Sequence, residues 1–162
     1  MAGMDYSIEP AQSADYLAVA ALDRLAWPHA PQTFIPDGEH IWRVWADHAL
    51  LLVARRNDGG EFAQTGSVAG AVVMFPTKRG EQFLHKIMVH PDCRGCGIGS
   101  ALMRETLSRA DAPVLLTVDP GNDAAVQLYR NFGFEIRVRI DGYYRPHEDR
   151  VIMVHPGSSA LR

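Results

Sequence analysis

The sequence predicts a mixed α/β fold, in which a sheet of about seven strands is flanked by helices on both sides. Short apolar runs of strand character alternate with segments whose apolar residues recur at helical spacing. PVLLTV at 113–118 is a continuous apolar strand, which is typical of strands covered on both faces. A chain of 162 residues has room for one such domain, and we expect a single domain over 1–162.

The N-terminal part of the chain predicts one strand and two helices. YSIEP at 6–10 reads as a strand that its proline ends. Ser13 or Asp15 is expected to cap a helix whose apolar residues recur at helical spacing from Tyr16 onward. GEHIWRVWADH predicts a second helix over about 38–48, after a proline-rich run that cannot be one continuous helix.

Three strands and a helix are predicted for the middle of the chain. LLLVA at 50–54 and SVAGAVVMFP at 67–76 are apolar strands joined by a polar connection. QFLHKIMV at 82–89 alternates in part and predicts a further strand. A helix is expected from Gly99 to about Asp111, because its apolar positions recur at helical spacing.

The last third predicts a strand, a helix and two more strands. After the strand at 113–118, DPGN has the composition of a turn, with Asn122 as the cap of a helix that Gly133 ends. FEIRVRI and RVIMVHP are predicted strands on either side of DGYYRPHED. Residues 157–162 are expected to form a frayed tail.

Composition excludes several classes of partner. A formal net charge of −3 leaves no broad basic face for a phosphate backbone, so nucleic acid is not expected as a partner. Asp5, Glu9 and Asp15 interrupt the start of the chain, which argues against a secretory signal. No apolar run approaches the roughly 20 residues of a membrane span, so we expect a cytoplasmic protein without a membrane partner.

Both cysteines, Cys93 and Cys96, form a C-x-x-C. A helix N-terminus lowers a thiol pKa, so the two could be a redox pair, and C-x-x-C also occurs as half of a zinc site. The second half of a zinc site is missing from the sequence, and we expect no metal. The favoured interpretation is two small side chains that flank a turn.

The stretch HPDCRGCGIGSALM combines the end of a strand, a glycine-rich loop and the start of a helix. Unpaired N–H groups and the helix dipole make such a place an anion site, and glycine lets a ligand approach the main chain. The P-loop and dinucleotide patterns both fail here. Arg-x-x-Gly-x-Gly at 94–99 remains, and its alternative interpretation is a tight turn that needs glycine.

RGCGIG after IMVHPDC resembles the coenzyme A pyrophosphate loop of the GCN5-related N-acetyltransferases (GNAT). A second segment, NDAAVQLYRNFGFE, is similar to that family's Asn-x-x-Ala-x-x-Leu-Tyr-x-x-x-Gly-Phe helix, and the two motifs span 83–135. The resemblance implies an acetyl-CoA donor and strands that splay apart at its site. It implies that backbone groups of Ile87, Met88 and Val89 line the pantetheine arm. The amides implied to bind pyrophosphate are those of Arg94, Gly95, Cys96, Gly97, Ile98, Gly99 and Ser100.

Asn122 and Tyr129 stand seven residues apart, nearly two helical turns, so both are expected on one helix face about 10 Å apart. The resemblance implies that the asparagine contacts the cofactor arm and that the Tyr129 hydroxyl protonates the departing thiolate. A phenol pKa near 10 lies above a thiol pKa near 8.5, which keeps tyrosine a donor at neutral pH. Without the resemblance, Tyr129 would more often be a core aromatic.

GYYRPHEDRVIMVHP and AWPHAPQTF resemble the ribosomal-protein alanine N-acetyltransferase branch, whose members acetylate protein N-termini. The sequence departs from that branch at Thr117, where a catalytic glutamate is expected, and threonine cannot act as a base. His85 is the candidate base, since family members that acetylate arylalkylamines carry a histidine in this strand. The alternative is a strand histidine bonded to its neighbours. His147 and Glu148 are further candidates.

The resemblance also implies that four aromatic residues wall the acceptor pocket, namely Trp27, Phe34, Tyr143 and Tyr144. The predicted function is therefore acetyl-CoA-dependent N-acetylation of a primary amine, such as a protein N-terminal α-amine. A small-molecule amine or antibiotic acetyltransferase is the alternative, and a non-catalytic acyl-CoA sensor is the alternative from another class. We expect a monomer or a homodimer.

Overall fold

The computed structural model describes residues 3–27 and 35–158. Its strands are β1 (Tyr6–Pro10), β2 (Leu50–Arg56), β3 (Val68–Pro76), β4 (Gln82–Val89), β5 (Val114–Val118), β6 (Glu135–Ile140) and β7 (Arg150–His155). Its helices are α1 (Tyr16–Leu25), α2 (Glu39–His48), α3 (Ile98–Ser108) and α4 (Asp123–Asn131). No helix within the described residues combines the length and apolar character that a membrane span requires.

The strands form one seven-stranded sheet in the order β1, β2, β3, β4, β5, β7, β6. β4 and β5 are parallel, whereas β1 with β2, β2 with β3, β5 with β7 and β6 with β7 are antiparallel. The predicted mixed sheet with helices is confirmed.

The parallel ladder between β4 and β5 is short. It pairs Gln82 with Val114 and Phe83 with Leu115, at the start of both strands. β5 by contrast pairs with β7 over all five of its residues.

The start of α1 differs from the prediction, because neither Ser13 nor Asp15 caps the helix through its side chain. The Ser13 hydroxyl donates to Asp47 at 2.6 Å, and Asp15 accepts from the backbone N–H of Gln12 at 2.8 Å. Residues 13–15 form a separate 3₁₀ turn before α1. Asp15 also accepts a hydrogen bond from Arg55 at 2.7 Å, a tertiary partner that no local pattern identifies.

Two compact units divide the chain, and the first consists of Met1–Met74 and Lys86–Thr106 as far as they are described. Its core contains side chains that are at most 1% exposed, among them Val19, Leu22, Trp42, Leu52, Val53, Ile98, Leu102 and Met103. Gly70 on β3 lets α3 pack closely. A methyl group there would lie 2.8 Å from Ile98 Cγ2 and 3.0 Å from the carbonyl oxygen of Met88.

The second unit consists of Phe75–His85 and Leu107–Arg162 as far as they are described. Val114, Phe134 and Met153 are buried in its core. Gly157 and Ser158, which the sequence assigns to a frayed tail, are anchored instead. Ser158 donates from its backbone N–H at 3.0 Å and from its hydroxyl at 2.6 Å to the carbonyl oxygen of Ala110. The remaining tail, 159–162, lies outside the described residues.

Candidate active site

The loop before α3 is shaped by two glycines in the left-handed region of backbone conformation. Gly95 has φ +78° and Gly97 has φ +80°, values that other L-residues adopt only with strain. A methyl group at Gly95 would meet no atom of the described chain within 4 Å, so conformation rather than crowding demands glycine there. Gly99 is different, since its φ is ordinary and a methyl group would touch Val89 Cγ2 at 3.5 Å.

The N-terminus of α3 leaves N–H groups without a helical partner in the same loop. The carbonyl oxygen of Gly97 accepts the first helical hydrogen bond from Ala101 at 3.0 Å, which makes Gly97 the cap residue. The N–H groups of the first turn therefore have no intrahelical acceptor. Residues 94–97 are exposed, and the first turn contains no acidic side chain. These are the physical requirements of an anion site.

The C-terminal end of β4 lies beside this loop within the first unit. Met88 is buried, and Ile87 and Val89 are half-buried. Close packing at Gly70 brings the Met88 main chain and Ile98 of α3 together on β3. Sequence reasoning did not single out Gly70, although a glycine inside an apolar strand is a signal of close backbone approach.

Arg94 turns its side chain back toward α1. Its Nη2 donates to the carbonyl oxygen of Ala26, the C-cap of α1, at 2.6 Å. This guanidinium thus braces the glycine loop against the end of a helix. The predicted contribution of Arg94 to pyrophosphate binding is a main-chain amide, which this contact leaves available.

The two cysteines are free thiols in different surroundings. Cys93 is buried with its Sγ 3.9 Å from Met4 Sδ, whereas Cys96 is exposed. Burial, and secondarily Cys96, raises the pKa of the Cys93 thiol. Less thiolate at neutral pH argues against a redox pair and supports the interpretation of small residues around a turn. Among residues 3–27 and 35–158 no cluster of His, Cys, Asp and Glu could hold a metal ion.

In the second unit, Asn122 caps α4 as predicted. Its side-chain oxygen accepts a hydrogen bond from the Ala125 N–H at 3.1 Å. Asn122 lies just outside the helix, with φ −91° and ψ 74°, and is exposed. Because the cap occupies its side-chain oxygen, the amide NH₂ is the group left to contact a ligand.

Tyr129 is held by the C-terminus of α4. The Phe134 N–H donates to the Tyr129 carbonyl oxygen at 3.1 Å and the Gly133 N–H to that of Arg130 at 2.9 Å, which is a Schellman motif. Gly133 has φ +95°, confirming the predicted helix stop. The ring of Tyr129 packs edge-on against Phe134 with centroids 5.9 Å apart. Burial raises the pKa of Tyr129 above its ordinary value, which keeps the hydroxyl protonated.

Thr117 on β5 is hydrogen-bonded to Tyr144 in the loop between β6 and β7. Thr117 Oγ1 and the Tyr144 hydroxyl oxygen lie 3.2 Å apart. The Arg150 guanidinium lies over the Tyr144 ring, 5.0 Å from its centroid, and Tyr143 packs edge-on against it at 4.7 Å. Both tyrosines are exposed, at 39% for Tyr143 and 51% for Tyr144. Thr117 therefore positions an exposed aromatic residue.

Glu148, one of the candidate bases, lies between two arginines. Its Oε1 accepts from Arg150 at 3.1 Å, and its Oε2 lies 3.5 Å from Arg145 Nε. Oε2 is buried and accepts no hydrogen bond from the described part of the chain. Both carboxylate oxygens of Glu148 thus face arginine side chains rather than an open site. His147 beside it is exposed.

His85, the other candidate base, lies on β4 among aromatic rings. Its ring centroid is 6.0 Å from that of Phe75 and 6.3 Å from that of Phe83. It is half-buried. These contacts fit the interpretation of a packed strand histidine, and the role of His85 as a base stays a prediction.

Comparison with known proteins decides the family. The sequence model of the Acetyltransferase (GNAT) family matches residues 19–134, a range that includes the glycine loop and α4. The chain belongs to the GNAT family. RimI-type proteins are among its relatives, as the resemblance of the β6–β7 segment predicts. The N-alpha-acetyltransferase RimI of Mycobacterium tuberculosis is 44% identical over 66 residues, which are 40% of this chain and 42% of the relative.

Two further relatives of this GNAT chain come from Escherichia coli. The peptidyl-lysine N-acetyltransferase YjaB is 36% identical over 69 residues, 41% of this chain and 46% of the relative. The crystal structure of the ribosomal-protein-S18-alanine N-acetyltransferase has a TM-score of 0.74 at 25% identity, with 95% of each chain covered. The match thus covers less than half of the length of YjaB and of the Mycobacterium tuberculosis RimI. It covers nearly the whole of the solved structure.

The predicted GNAT site residues fall into two groups. The first unit contains the loop residues 94–100, the end of β4 and Trp27, which is 38% exposed. The second unit contains Asn122, Tyr129 and the tyrosine pair of the β6–β7 loop. Phe34 lies outside the described residues.

The sequence analysis did not predict a buried charged cluster around Asp23. Asp23 on α1 is fully buried and binds Lys86 of β4, with Oδ1 2.9 Å from Nζ. A usable signal was present, because Asp23 stands four residues after Val19 on the apolar face of its helix, where an acidic side chain needs a partner.

Proposed function

We propose that this GNAT chain is an acetyl-CoA-dependent N-acetyltransferase, and that its acceptor is a protein N-terminal α-amine. The observation that carries the proposal is the loop at 94–100. There, two left-handed glycines precede a helix N-terminus whose cap residue, Gly97, has no side chain to accept from the first N–H groups, as a pyrophosphate needs. In this assignment the amides of residues 94–100 bind the pyrophosphate, and main-chain groups of Ile87, Met88 and Val89 bind the pantetheine arm. Asn122 contacts the same arm through its amide NH₂.

The reaction is a direct transfer. The neutral amine nitrogen forms a bond to the thioester carbonyl carbon, the carbon–sulfur bond breaks, and the departing thiolate takes a proton from the Tyr129 hydroxyl. Main-chain N–H groups at the end of β4 stabilise the negative charge on the carbonyl oxygen. The amine loses a proton after the attack. His85 is the candidate base that takes this proton and passes it on to solvent. The raised pKa at Tyr129 keeps the hydroxyl protonated at neutral pH, the form from which it can donate.

The choice of acceptor rests on the groups that stand at the expected base positions. Thr117 cannot take a proton, and Glu148 is paired with two arginines. An α-amine has a pKa near 7.8 against about 10.4 for lysine, so its neutral fraction at pH 7 is a few hundredfold larger. An acceptor that is already partly neutral needs no strong base. The names of the RimI relatives and the exposed tyrosine pair at 143–144 support the same choice.

A small-molecule amine is the second candidate acceptor. The observation in its favour is that Thr117 stands where the branch that acts on ribosomal-protein N-termini is expected to have a glutamate. An idle acyl-CoA sensor would bind cofactor without turnover. The cytoplasmic location and the monomeric or homodimeric state also stay predictions.

Titration calorimetry with acetyl-CoA, followed by an acceptor panel, tests the proposal. The panel compares peptides with a free N-terminus, the same peptides blocked at the N-terminus but with an internal lysine, polyamines and aminoglycosides. We expect binding of acetyl-CoA and turnover of the free-N-terminus peptides alone. Turnover only of polyamines or aminoglycosides would favour the second candidate, binding without turnover the sensor, and no binding would refute the assignment of the loop.

A further inference from the structure

Asp23 is a charged residue in a fully buried position, and four residues donate to it. Lys86 Nζ lies 2.9 Å from Oδ1 and 3.0 Å from Oδ2. The Trp27 indole donates to Oδ1 at 3.3 Å, and the Trp42 indole to Oδ2 at 3.4 Å. The backbone N–H of Asp37 donates to Oδ2 at 2.8 Å. Both oxygens are thus satisfied, as a buried carboxylate requires.

The donors come from both sides of the connection between α1 and α2 and from β4. Trp27 follows α1, Asp37 precedes α2, Trp42 lies within α2 and Lys86 lies on β4. The Asp37 carboxylate also binds Lys86 Nζ, at 2.9 Å. One carboxylate therefore fixes both described ends of the connection between α1 and α2, and ties them to a strand.

Stability alone does not account for such a cluster. The desolvation cost of a buried ion pair is so large that apolar residues of similar volume often stabilise a fold equally well or better. What the charged cluster provides is a defined geometry, since every donor must sit at hydrogen-bond distance from two oxygen atoms. The geometry that it defines is that of Trp27 relative to β4.

Trp27 and β4 are parts of the proposed catalytic apparatus. The Trp27 ring is exposed although its N–H is fixed to Asp23, which gives a preorganised aromatic surface. Lys86 immediately precedes Ile87, the first residue of the segment that is proposed to bind the pantetheine arm. Arg94 strengthens the arrangement, because it binds the carbonyl oxygen of Ala26, the residue before Trp27, at 2.6 Å.

We propose that Asp23, acting through Trp27 and Lys86, is a positioning residue that sets where the acceptor amine meets the thioester. This inference rests on the proposed function, because it assigns a role within the same reaction. Asp23 itself contacts neither cofactor nor acceptor. Its effect is therefore on acceptor recognition, and acetyl-CoA binding by the loop at 94–100 does not depend on it.

The main test is the double variant Asp23→Asn with Lys86→Met. It removes the charges of Asp23 and Lys86 together, so neither of these two is left buried and unpaired, and the Asp37 carboxylate that loses its contact with Lys86 is 26% exposed. We expect the KM for the acceptor peptide to rise about tenfold, the order expected for misplacement of an acceptor group, while the Kd for acetyl-CoA stays within about twofold. A milder variant, Asp37→Asn, keeps the Lys86–Asp23 pair and should raise the acceptor KM about threefold.

The matched control is Arg43→Met with Asp47→Asn, which removes an exposed ion pair of the same unit. Its acceptor KM should equal that of the wild type. If the Asp23 double variant does not fold, Asp37→Asn decides the question. An acceptor KM equal to that of the wild type in the folded variants, or a parallel rise in the acetyl-CoA Kd, would overturn the role of Asp23. A wild-type protein that binds no acetyl-CoA would instead refute the proposed function itself.

Discussion

The glycine loop at 94–100 and the Thr117–Tyr144 region build their proposed functions in different ways. The loop works through main-chain N–H groups, whose direction is set by two left-handed glycines and by the start of α3. The Thr117–Tyr144 region works through side chains that tertiary contacts orient, among them the 3.2 Å hydrogen bond between residues 27 positions apart. Tyr129 also acts through its side chain. The Schellman motif fixes its main chain, and its ring packs against Phe134.

This difference has consequences for substitution. A main-chain site tolerates many side chains, provided that the backbone conformation survives, so its motif is short and easily recognised. A side-chain site can be rebuilt with other residues, and the sequence resemblance interprets Thr117 in this way, as the residue at the position of an expected glutamate. Substitutions in the two regions should therefore change different kinetic constants.

The largest effect is expected for Tyr129→Phe. Removal of the hydroxyl deletes the proton donor, and kcat should fall by about a hundredfold, as is usual for a general acid. The Kd for acetyl-CoA should change less than about twofold, because the ring and its packing on Phe134 remain. Steady-state kinetics and calorimetry check both values, with Tyr16→Phe on α1 as the control. A kcat equal to that of the wild type would remove Tyr129 from the mechanism.

Gly97→Ala should affect the glycine loop, and it should change the Kd for acetyl-CoA rather than kcat. A non-glycine residue in the left-handed region costs about 1–2 kcal/mol, and relaxation of the loop would misdirect its N–H groups. The Kd for acetyl-CoA should rise about tenfold with kcat at saturation little changed. Gly59→Ala is the matched control, because Gly59 has φ +78° and open space around it but lies in another loop. An equal rise of Kd in both variants would contradict the assignment of the loop.

A smaller effect is expected from Thr117→Val and Tyr144→Phe, which delete the same hydrogen bond. Each should lower kcat/KM for the acceptor about fivefold, since a hydrogen bond contributes about 1 kcal/mol, and should leave the acetyl-CoA Kd unchanged. The double variant should lose no more than either single variant, because the two side chains share one interaction. Additive losses in this cycle would show that Thr117 and Tyr144 act separately.

The smallest effect is expected on the pH dependence of stability. It involves His155, which packs on Phe134, the residue that also contacts the Tyr129 ring. Burial lowers the pKa of His155, whose ring packs on Phe134 with centroids 5.3 Å apart. Because the folded state disfavours the charged form, this contribution to stability is complete above the unfolded pKa near 6.5. It is lost as pH falls through the folded value.

Chemical denaturation between pH 5 and pH 8 measures that dependence. The free energy of unfolding should fall below about pH 6.5 in the wild type, and His155→Gln should flatten the profile. The exposed His147→Gln is the control and should keep the slope of the wild type. A wild-type slope in His155→Gln would assign the acid sensitivity to another group.

Much of the fold and of the proposed cofactor loop was determined by the sequence alone, because these features are local. Strand and helix periods predicted each strand and α-helix of the described residues within a few residues of its observed ends, as for the helix expected at 99–111 and found at Ile98–Ser108. The cap at Asn122 and the stop at Gly133 followed from the conformations that these residue types favour. The positive φ values at Gly95 and Gly97 belong to the same class of local information.

Only the tertiary structure decided which distant side chains meet. The Asp23–Lys86 pair spans 63 positions, and the partners of Ser13 and Asp15, on α2 and β2, replaced the predicted cap of α1. The anchoring of Ser158 on Ala110 likewise depends on a segment 48 residues away. A residue type limits which hydrogen bonds a side chain can make, but the path of the chain determines which donor or acceptor lies within reach.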